Sequence, residues 1–265
     1  MGLKKPLMQA RMPRLGLRHV GVPLIAMVLL AGCASAPVPQ GINDPHEAAN
    51  RKVHAFNRGL DRAIVRPAAK AYGSVVPDPL RQVVGNVAET FDLPGDIVNN
   101  LLQANVEDAA RNSLRLALNL TAGIGGLLDV SGAIGLAGEP TDFGETLHVW
   151  GVGEGAYRES PFSGPSTTRD SAGGIVDLVL NPVRLALPER EAIAATAVQA
   201  LSLLGDRDRF AETVDSVLYD SADSYAQARL LYLQNRRFEL GQIDTPTAEN
   251  PDDGFIDPYE DPYGQ

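Results

Sequence analysis

DPHEAANRKVHAFNRGLDRAIVRP, residues 44–67, decides the fold. Asp44 stands as an N-cap acid, Pro45 at the first helical position and Glu47 three residues past the cap, the grammar of a helix start. Ala49, Val53, Phe56, Leu60 and Ile64 then recur at helical steps, an apolar stripe along one face. Pro67 ends or kinks that helix after Arg66. The same grammar repeats downstream. Asp78-Pro79 opens a second stripe of Leu80, Val83, Val84 and Val87, and Asp96 is read as the cap of Ile97, Val98, Leu101 and Leu102. After Glu189 come Ile193, Ala197, Leu201 and Leu204, and a last long helix is expected from about Asp206 to Leu240, stopped by Gly241. Alternating apolar and polar runs are scarce, so no substantial sheet is expected. The spacing predicts an all-α domain over residues 44–241.

Two stretches depart from ordinary amphipathic helices. Around Val106–Leu120, Leu114, Leu116, Leu118 and Leu120 point around the circumference, a pattern of burial in protein or in membrane. Between Gly123 and Gly138 six glycines, among them Gly123, Gly126, Gly132 and Gly135, interleave with Ile124, Leu127, Leu128, Val130, Ile134 and Leu136. Glycine at this density weakens helices and suits backbone that turns sharply, approaches a ligand closely, or moves.

Outside the domain, Lys4, Lys5, Arg11, Arg14 and Arg18 precede the charge-free run Val20–Leu30 and then Ala31-Gly32-Cys33. A basic region, a short apolar region and small residues before a cleavage point make residues 1–32 an export signal. Eleven apolar residues fall far short of the roughly 20 needed to span a bilayer. Leu-Ala-Gly-Cys resembles the lipobox of bacterial lipoproteins, which implies acylation of Cys33 and a mature chain of residues 33–265. Ala34 in place of an aspartate implies the outer membrane, facing the periplasm. Two or more acyl chains anchor a protein stably. Residues 33–43 read as a tether. Residues 242–265, with four prolines among seven acids, read as a disordered tail.

The whole chain carries a formal charge of −10. Without residues 1–32, which hold five basic residues and no acid, the charge is −15. So acidic a body argues against nucleic acid, and against docking on anionic headgroups through a polybasic patch. Cys33 is the only cysteine, so no internal disulfide can form. His46-Glu47 begins a zinc-protease pattern, but position 50 is Asn50. No phosphate loop and no nucleophile elbow occur, and the histidines His46, His54 and His148 are too scattered for a metal site. No catalytic constellation and no cofactor are expected.

The segment from Asn43 to Gly174 resembles the VacJ/MlaA family of outer-membrane lipoproteins. The matching pieces are Asn50-Arg51, Phe56-Asn57, Leu60-Asp61, Arg66-Pro67, Tyr72, Val76-Pro77 and Arg81, followed by Asn99, Leu101-Leu102-Gln103 and Asn119. Most specific is Asp142-Phe143-Gly144-Glu145-Thr146-Leu147 ahead of Trp150-Gly151-Val152-Gly153, closing with Gly164-Pro165-Ser166-Thr167 and Arg169-Asp170. Departures are Ala156, Ser160, His54 and Ala49, where the family usually carries proline, an apolar residue, an aromatic and, in some members, phenylalanine. The resemblance implies an all-helical ring lying in the inner leaflet of the outer membrane, with a central amphipathic channel. Mislocalised phospholipid leaves the outer leaflet through it, a soluble periplasmic lipid-binding chaperone receives it, and a trimeric porin is the associated partner. No hydrolysis is implied.

Candidate functional residues follow. Thr167 or Thr168 is expected to cap a helix running to Leu180, placing Arg169 where it can meet phosphate with Asp170 beside it. The alternative is a structural Arg–Asp pair. Gly123, Gly126, Gly132 and Gly135 are candidate gate or hinge positions, against tight packing through small residues. Phe56 and Asn57 are the pair the family suggests for setting channel leakage, although periodicity makes Phe56 a core residue. The competing functional class is a structural lipoprotein that scaffolds porin complexes without moving lipid. An envelope hydrolase is disfavoured by the missing nucleophile–base set.

Overall fold

The computed structural model describes residues 41–180 and 182–242. The expected export signal, Cys33 and the tail expected beyond residue 242 lie outside the described residues. Within them, α1 (Glu47–Leu60), a π turn (Asp61–Val65) and α2 (Arg66–Val75) form one bent rod, followed by α3 (Asp78–Leu102) and α4 (Val106–Thr121). The short helices α5 (Val130–Ala133) and α6 (Phe143–Val149) lead to a hairpin of β1 (Tyr157–Ser160) and β2 (Gly164–Thr167). Then come α7 (Thr168–Leu180), α8 (Pro182–Ala186), α9 (Glu189–Arg209), α10 (Ala211–Asp215), a second π turn (Ser216–Asp220) and α11 (Ser224–Glu239). The fold is all-α apart from that antiparallel hairpin, which pairs Tyr157 with Thr167 and Ser160 with Gly164. Helix α4 packs on α3, α9 runs along α2 and α3, and α6 packs on α7.

Several boundaries differ from the periodicity reading, each for a local reason. Asp44 does not cap α1. Its carboxylate instead accepts from Asn50 at 2.8 Å and Arg229 at 2.6 Å, and from the Tyr225 hydroxyl, tying the start of the domain to α11. Pro67 does not end the first helix. It sits in the first turn of α2, and the preceding π turn absorbs the missing donor. Asp96 caps nothing, because α3 runs through Pro94 as a single 25-residue helix. The long last helix is broken at Phe210 and again before α11, where the Asp223 carboxylate caps the N–H groups of Tyr225 and Ala226.

The larger surprise is which faces point inward. The apolar stripe of α1 faces out, with Phe56 and Ile64 more than half exposed, whereas Asn50 and His54 are buried. In α4, Leu114 and Leu120 are exposed while Asn112, Arg115 and Asn119, on the opposite face at helical spacing, are buried. Among the described residues, sixteen buried side chains are polar and eight apolar, and four of those eight are alanine. Among the described residues the buried apolar cluster is small: Tyr157, Tyr225 and Leu233, flanked by Ile42 and Tyr232. Exposed large hydrophobic residues occur on nearly every helix. Such an inversion is unfavourable in water, where burying apolar area is worth about 25 cal/mol per Å², and favourable in a bilayer, where exposed apolar surface costs nothing and interiors are held by polar contacts. No described helix is long and apolar enough to cross a membrane.

Polar groups inside demand partners, and each buried polar side chain of α4 makes at least two hydrogen bonds. Asn112 donates to the Glu139 carbonyl at 2.8 Å and accepts from the Glu139 N–H at 3.2 Å. Arg115 donates to the Leu136 carbonyl and the Glu89 carboxylate. Asn119 donates to Asp129 at 3.0 Å and accepts from the Ser131 N–H and hydroxyl. The polar face of α4 thus stitches the glycine-rich segment onto the helix pair α3–α4.

Candidate functional site

Where α9 passes antiparallel to α3, the two helices do not close. Gln199 donates to Asp92 at 2.7 Å near one end, and Arg81 donates to Asp208 at 2.9 Å near the other. Between and beside these ties lies a half-open cavity of about 1340 Å³. That is above the roughly 300–1,000 Å³ usual for small-molecule pockets. Its wall combines Gln82, Gly85 and Glu89 of α3 with Ser202 and Leu203 of α9, and Tyr72 of α2 closes one side. The wall is therefore mixed, with carboxylates, amides and arginine beside apolar side chains. A polar passage bounded by helices with apolar outer faces can hold a charged headgroup away from hydrocarbon.

The glycine-rich segment reaches this cavity through Asp129 and Ala133. Burial alone would raise the Asp129 carboxyl, but the Ser131 hydroxyl, the Gly132 N–H and Asn119 all donate to it and hold it below the usual range. The four glycines divide in two. Gly123 and Gly126 sit in a tight turn after α4, with the Gly126 N–H on the Asn119 carbonyl at 2.8 Å and Gly126 at φ +89°. A Cβ on Gly123 would collide with the backbone carbonyls of Leu128 and Asn119, and one on Gly126 would lie 2.8 Å from the Thr90 hydroxyl. Gly132 is exposed, and its Cβ would meet only the Asp129 carboxylate. Gly135, at φ +81°, faces open space. Gly123→Ala is therefore expected to destabilise by about 3 kcal/mol or lower abundance outright, since backbone cannot give way. Gly135→Ala should cost only about 1–2 kcal/mol of left-handed strain, leaving abundance near wild type by immunoblot and making it the usable probe of motion.

The residues expected to face phosphate lie elsewhere. Thr167 does cap α7, accepting from the Asp170 N–H at 3.1 Å. The Arg169 side chain, however, is wholly buried, with Nε and Nη2 each 3.1 Å from the Asp170 carboxylate. Asp170 also accepts from Thr167 at 2.7 Å, Tyr232 at 2.8 Å and Arg236 at 3.3 Å. Burial would raise the Asp170 carboxyl, but Arg236 and Arg169 outweigh it and hold it low. These contacts fasten the hairpin and α7 to α11. Neither residue lines the large cavity.

Phe56 and Asn57 also have a defined task. Asn57 donates to the Ser160 carbonyl at 3.0 Å and accepts from the Phe162 N–H at 2.9 Å, gripping the hairpin tip. Phe56 stacks edge-on against Phe162, ring centroids 5.6 Å apart, and Phe162 is held at φ +69°. Both rings are exposed, so Phe56 is not the core residue that periodicity suggests. It joins an aromatic clasp between the first helix and the hairpin.

A smaller space of about 250 Å³ opens beside the main cavity, lined by Asp92, Asp96 and Asp177 with Phe143 and Val176. Burial, then the charges of Asp92, Glu89 and Asp177, push Asp96 up to about 7, against the opposing Thr141 N–H bond. A raised carboxyl stabilises the fold below its unfolded value near 3.8, and the contribution fades as pH rises to about 7. Asp96→Asn keeps the acceptor for Thr141. The variant should gain stability over wild type progressively from pH 4 to 7 and level off above, read from unfolding midpoints. Among the described residues no group of three or more His, Cys, Asp or Glu side chains is arranged to hold a metal ion.

The sequence pattern that defines the MlaA lipoproteins matches residues 42–239. The chain belongs to the MlaA lipoprotein family. It is 34% identical over 232 residues to the intermembrane phospholipid transport system lipoprotein MlaA of Shigella flexneri, covering 86% of this chain and 90% of that protein. The Escherichia coli K12 protein of the same name is 33% identical over the same coverage. An uncharacterized Rickettsia bellii protein is 35% identical over 196 residues, 74% of this chain and 76% of that one. Among solved structures, a chain from work on the "structural basis for maintenance of bacterial outer membrane lipid asymmetry" superposes with a TM-score of 0.64 at 32% identity. It covers 74% of this chain and 98% of its own. For this MlaA-family chain, Tyr72 and Arg81 belong both to the family motif and to the cavity wall. Asp92, Gln199, Asp206 and Arg209 also line the cavity but carried no sequence signal, because charged residues on an amphipathic helix read as a solvated face.

Proposed function

We propose that this chain is a passive phospholipid-transport component of the outer membrane, lying in the inner leaflet as a helical ring and passing mislocalised phospholipid through the cavity between α3 and α9. The observation that carries the reading is the inverted body, polar inside and apolar outside, around a polar-walled cavity of about 1340 Å³. Cys33 is the proposed lipidation site, and a periplasmic orientation follows from it. The named relatives are intermembrane phospholipid transport lipoproteins, which supports the same function for this chain. With no nucleotide-binding motif in the sequence, direction must come from partners. A trimeric porin and a soluble periplasmic lipid carrier are the proposed ones, and no nucleic acid is involved. Of the glycines, Gly132 and Gly135 are the proposed moving positions beside the cavity, Gly123 and Gly126 its fixed base. Phe56 and Asn57 act by holding the hairpin against α1, while Arg169 and Asp170 lock α7 to α11.

The test is outer-leaflet phospholipid in cells lacking the protein, measured by the accessibility of aminophospholipid to an impermeant label. The reading expects a rise that the full chain reverses. Unchanged labelling, with porin assembly impaired instead, would favour a scaffold that moves no lipid.

A further inference from the structure

The charges on the main cavity are neither balanced nor evenly placed. Arg81 sits between Asp78 and Asp208, and its Nε is buried without a partner among the described residues, as is the hydroxyl of Tyr72. Arg209, on the same wall, rests over the Phe210 ring and has no carboxylate partner among the described residues. Glu89 and Asp129 are met from behind by the buried Arg115. That leaves two carboxylates on the wall that no described cation neutralises: Asp206, one helical turn from Arg209, and Asp92, held only by Gln199. The cavity therefore offers anion-binding donors at the Tyr72–Arg81–Arg209 end and uncompensated negative charge from Asp206 along to Asp92.

We infer that the cavity selects phospholipids whose headgroup carries a cation as well as its phosphate, the ethanolamine class, over purely anionic headgroups such as glycerol. The phosphate meets the exposed Arg209, and reaches the unpartnered Arg81 Nε and Tyr72 hydroxyl once a side-chain shift uncovers them. The ammonium meets Asp206 and is drawn on towards Asp92. An anionic lipid gains the first contact but brings no partner for the carboxylates, so like charge opposes it. One such interaction in a half-open site is worth up to about 1 kcal/mol, roughly a fivefold preference, and weakens with salt.

This inference rests on the transport reading, and one experiment separates the two. The full chain in mild detergent is equilibrated with mixed micelles holding equal amounts of phosphatidylethanolamine and phosphatidylglycerol of identical acyl chains. Retained lipid is then counted by mass spectrometry. The expected result is an ethanolamine-to-glycerol ratio of about five, falling to about one in Asp92→Asn/Asp206→Asn and below one in Asp92→Lys/Asp206→Lys. Both positions are exposed, and asparagine at 92 still accepts from Gln199, so the amide variant should fold. Equal retention of both lipids by the wild-type chain, or a bias that the double amide leaves intact, overturns the selectivity and leaves transport standing. Retention of neither lipid removes both.

Discussion

Tryptophan at positions 85 and 202 together should abolish lipid transport while leaving protein abundance unchanged. Gly85 lies mid-helix on the α3 wall of the cavity, and a Cβ there meets nothing within 4 Å, so a side chain added at this point grows into empty space. Ser202 lies on the α9 wall of the same cavity. Replacing an interior helical glycine by tryptophan also recovers about 0.5 kcal/mol of helix propensity, which offsets local crowding. Two indole rings opposite one another would narrow the passage between the Gln199–Asp92 and Arg81–Asp208 ties. If lipid passes there, the rate should fall at least about tenfold, the effect of only 1.4 kcal/mol on a barrier. Gly85→Ala is the control and should transport normally. Outer-leaflet aminophospholipid labelling, normalised to abundance by immunoblot, reads the outcome. Normal transport by the double variant would place the route elsewhere.

The second large effect concerns stability. Arg237 is buried on α11 and donates from Nε and Nη2 to both oxygens of the buried Glu154, at 2.9 and 2.8 Å, and from Nη2 to the Gly41 carbonyl at 2.8 Å. The pair joins the last helix to the segment before the hairpin and to the start of the described chain. Removing one member strands the other charge in a low-dielectric interior, which typically costs 3–5 kcal/mol. Arg237→Met is expected to destabilise by about that amount in detergent, measured by urea unfolding. Glu154→Met/Arg237→Met should recover most of the loss, because an apolar pair leaves no stranded charge. If the double variant is as unstable as Arg237→Met alone, the hydrogen bond to Gly41 and the packing of the arginine stem carry the effect instead.

Both predictions depend on an interior that the sequence disclosed only in part. Helix spacing was legible, since the apolar residues of α1, α3 and α9 recur at helical steps. Which face was inside was not. Periodicity fixes a stripe's direction relative to its own helix, and only the surrounding solvent decides whether that stripe turns in or out. Thus Phe56 and Leu114 follow core spacing yet face outward, while Asn112, Arg115 and Asn119 form the seam. Breaks were missed where a long-range bond replaced a local one: Asp44 holds Arg229 rather than capping α1, and Asp96 accepts from Thr141 rather than starting a helix. The family motif brought Tyr72 and Arg81 to notice without assigning them a role. Arg169 and Asp170 drew attention because a threonine-capped helix start sets the arginine where phosphate could meet it, but their contacts run to Thr167, Tyr232 and Arg236 instead.

The most direct trial of the central claim is to ask what occupies the cavity. A photoreactive amino acid placed at Gln82, on the cavity wall, is irradiated in membranes, and the purified protein is weighed intact. The account predicts an adduct of phospholipid mass at position 82, lost in the double tryptophan background and not formed from exposed Lys52. No lipid adduct at 82, with capture confined to outward positions such as Leu114, would contradict it.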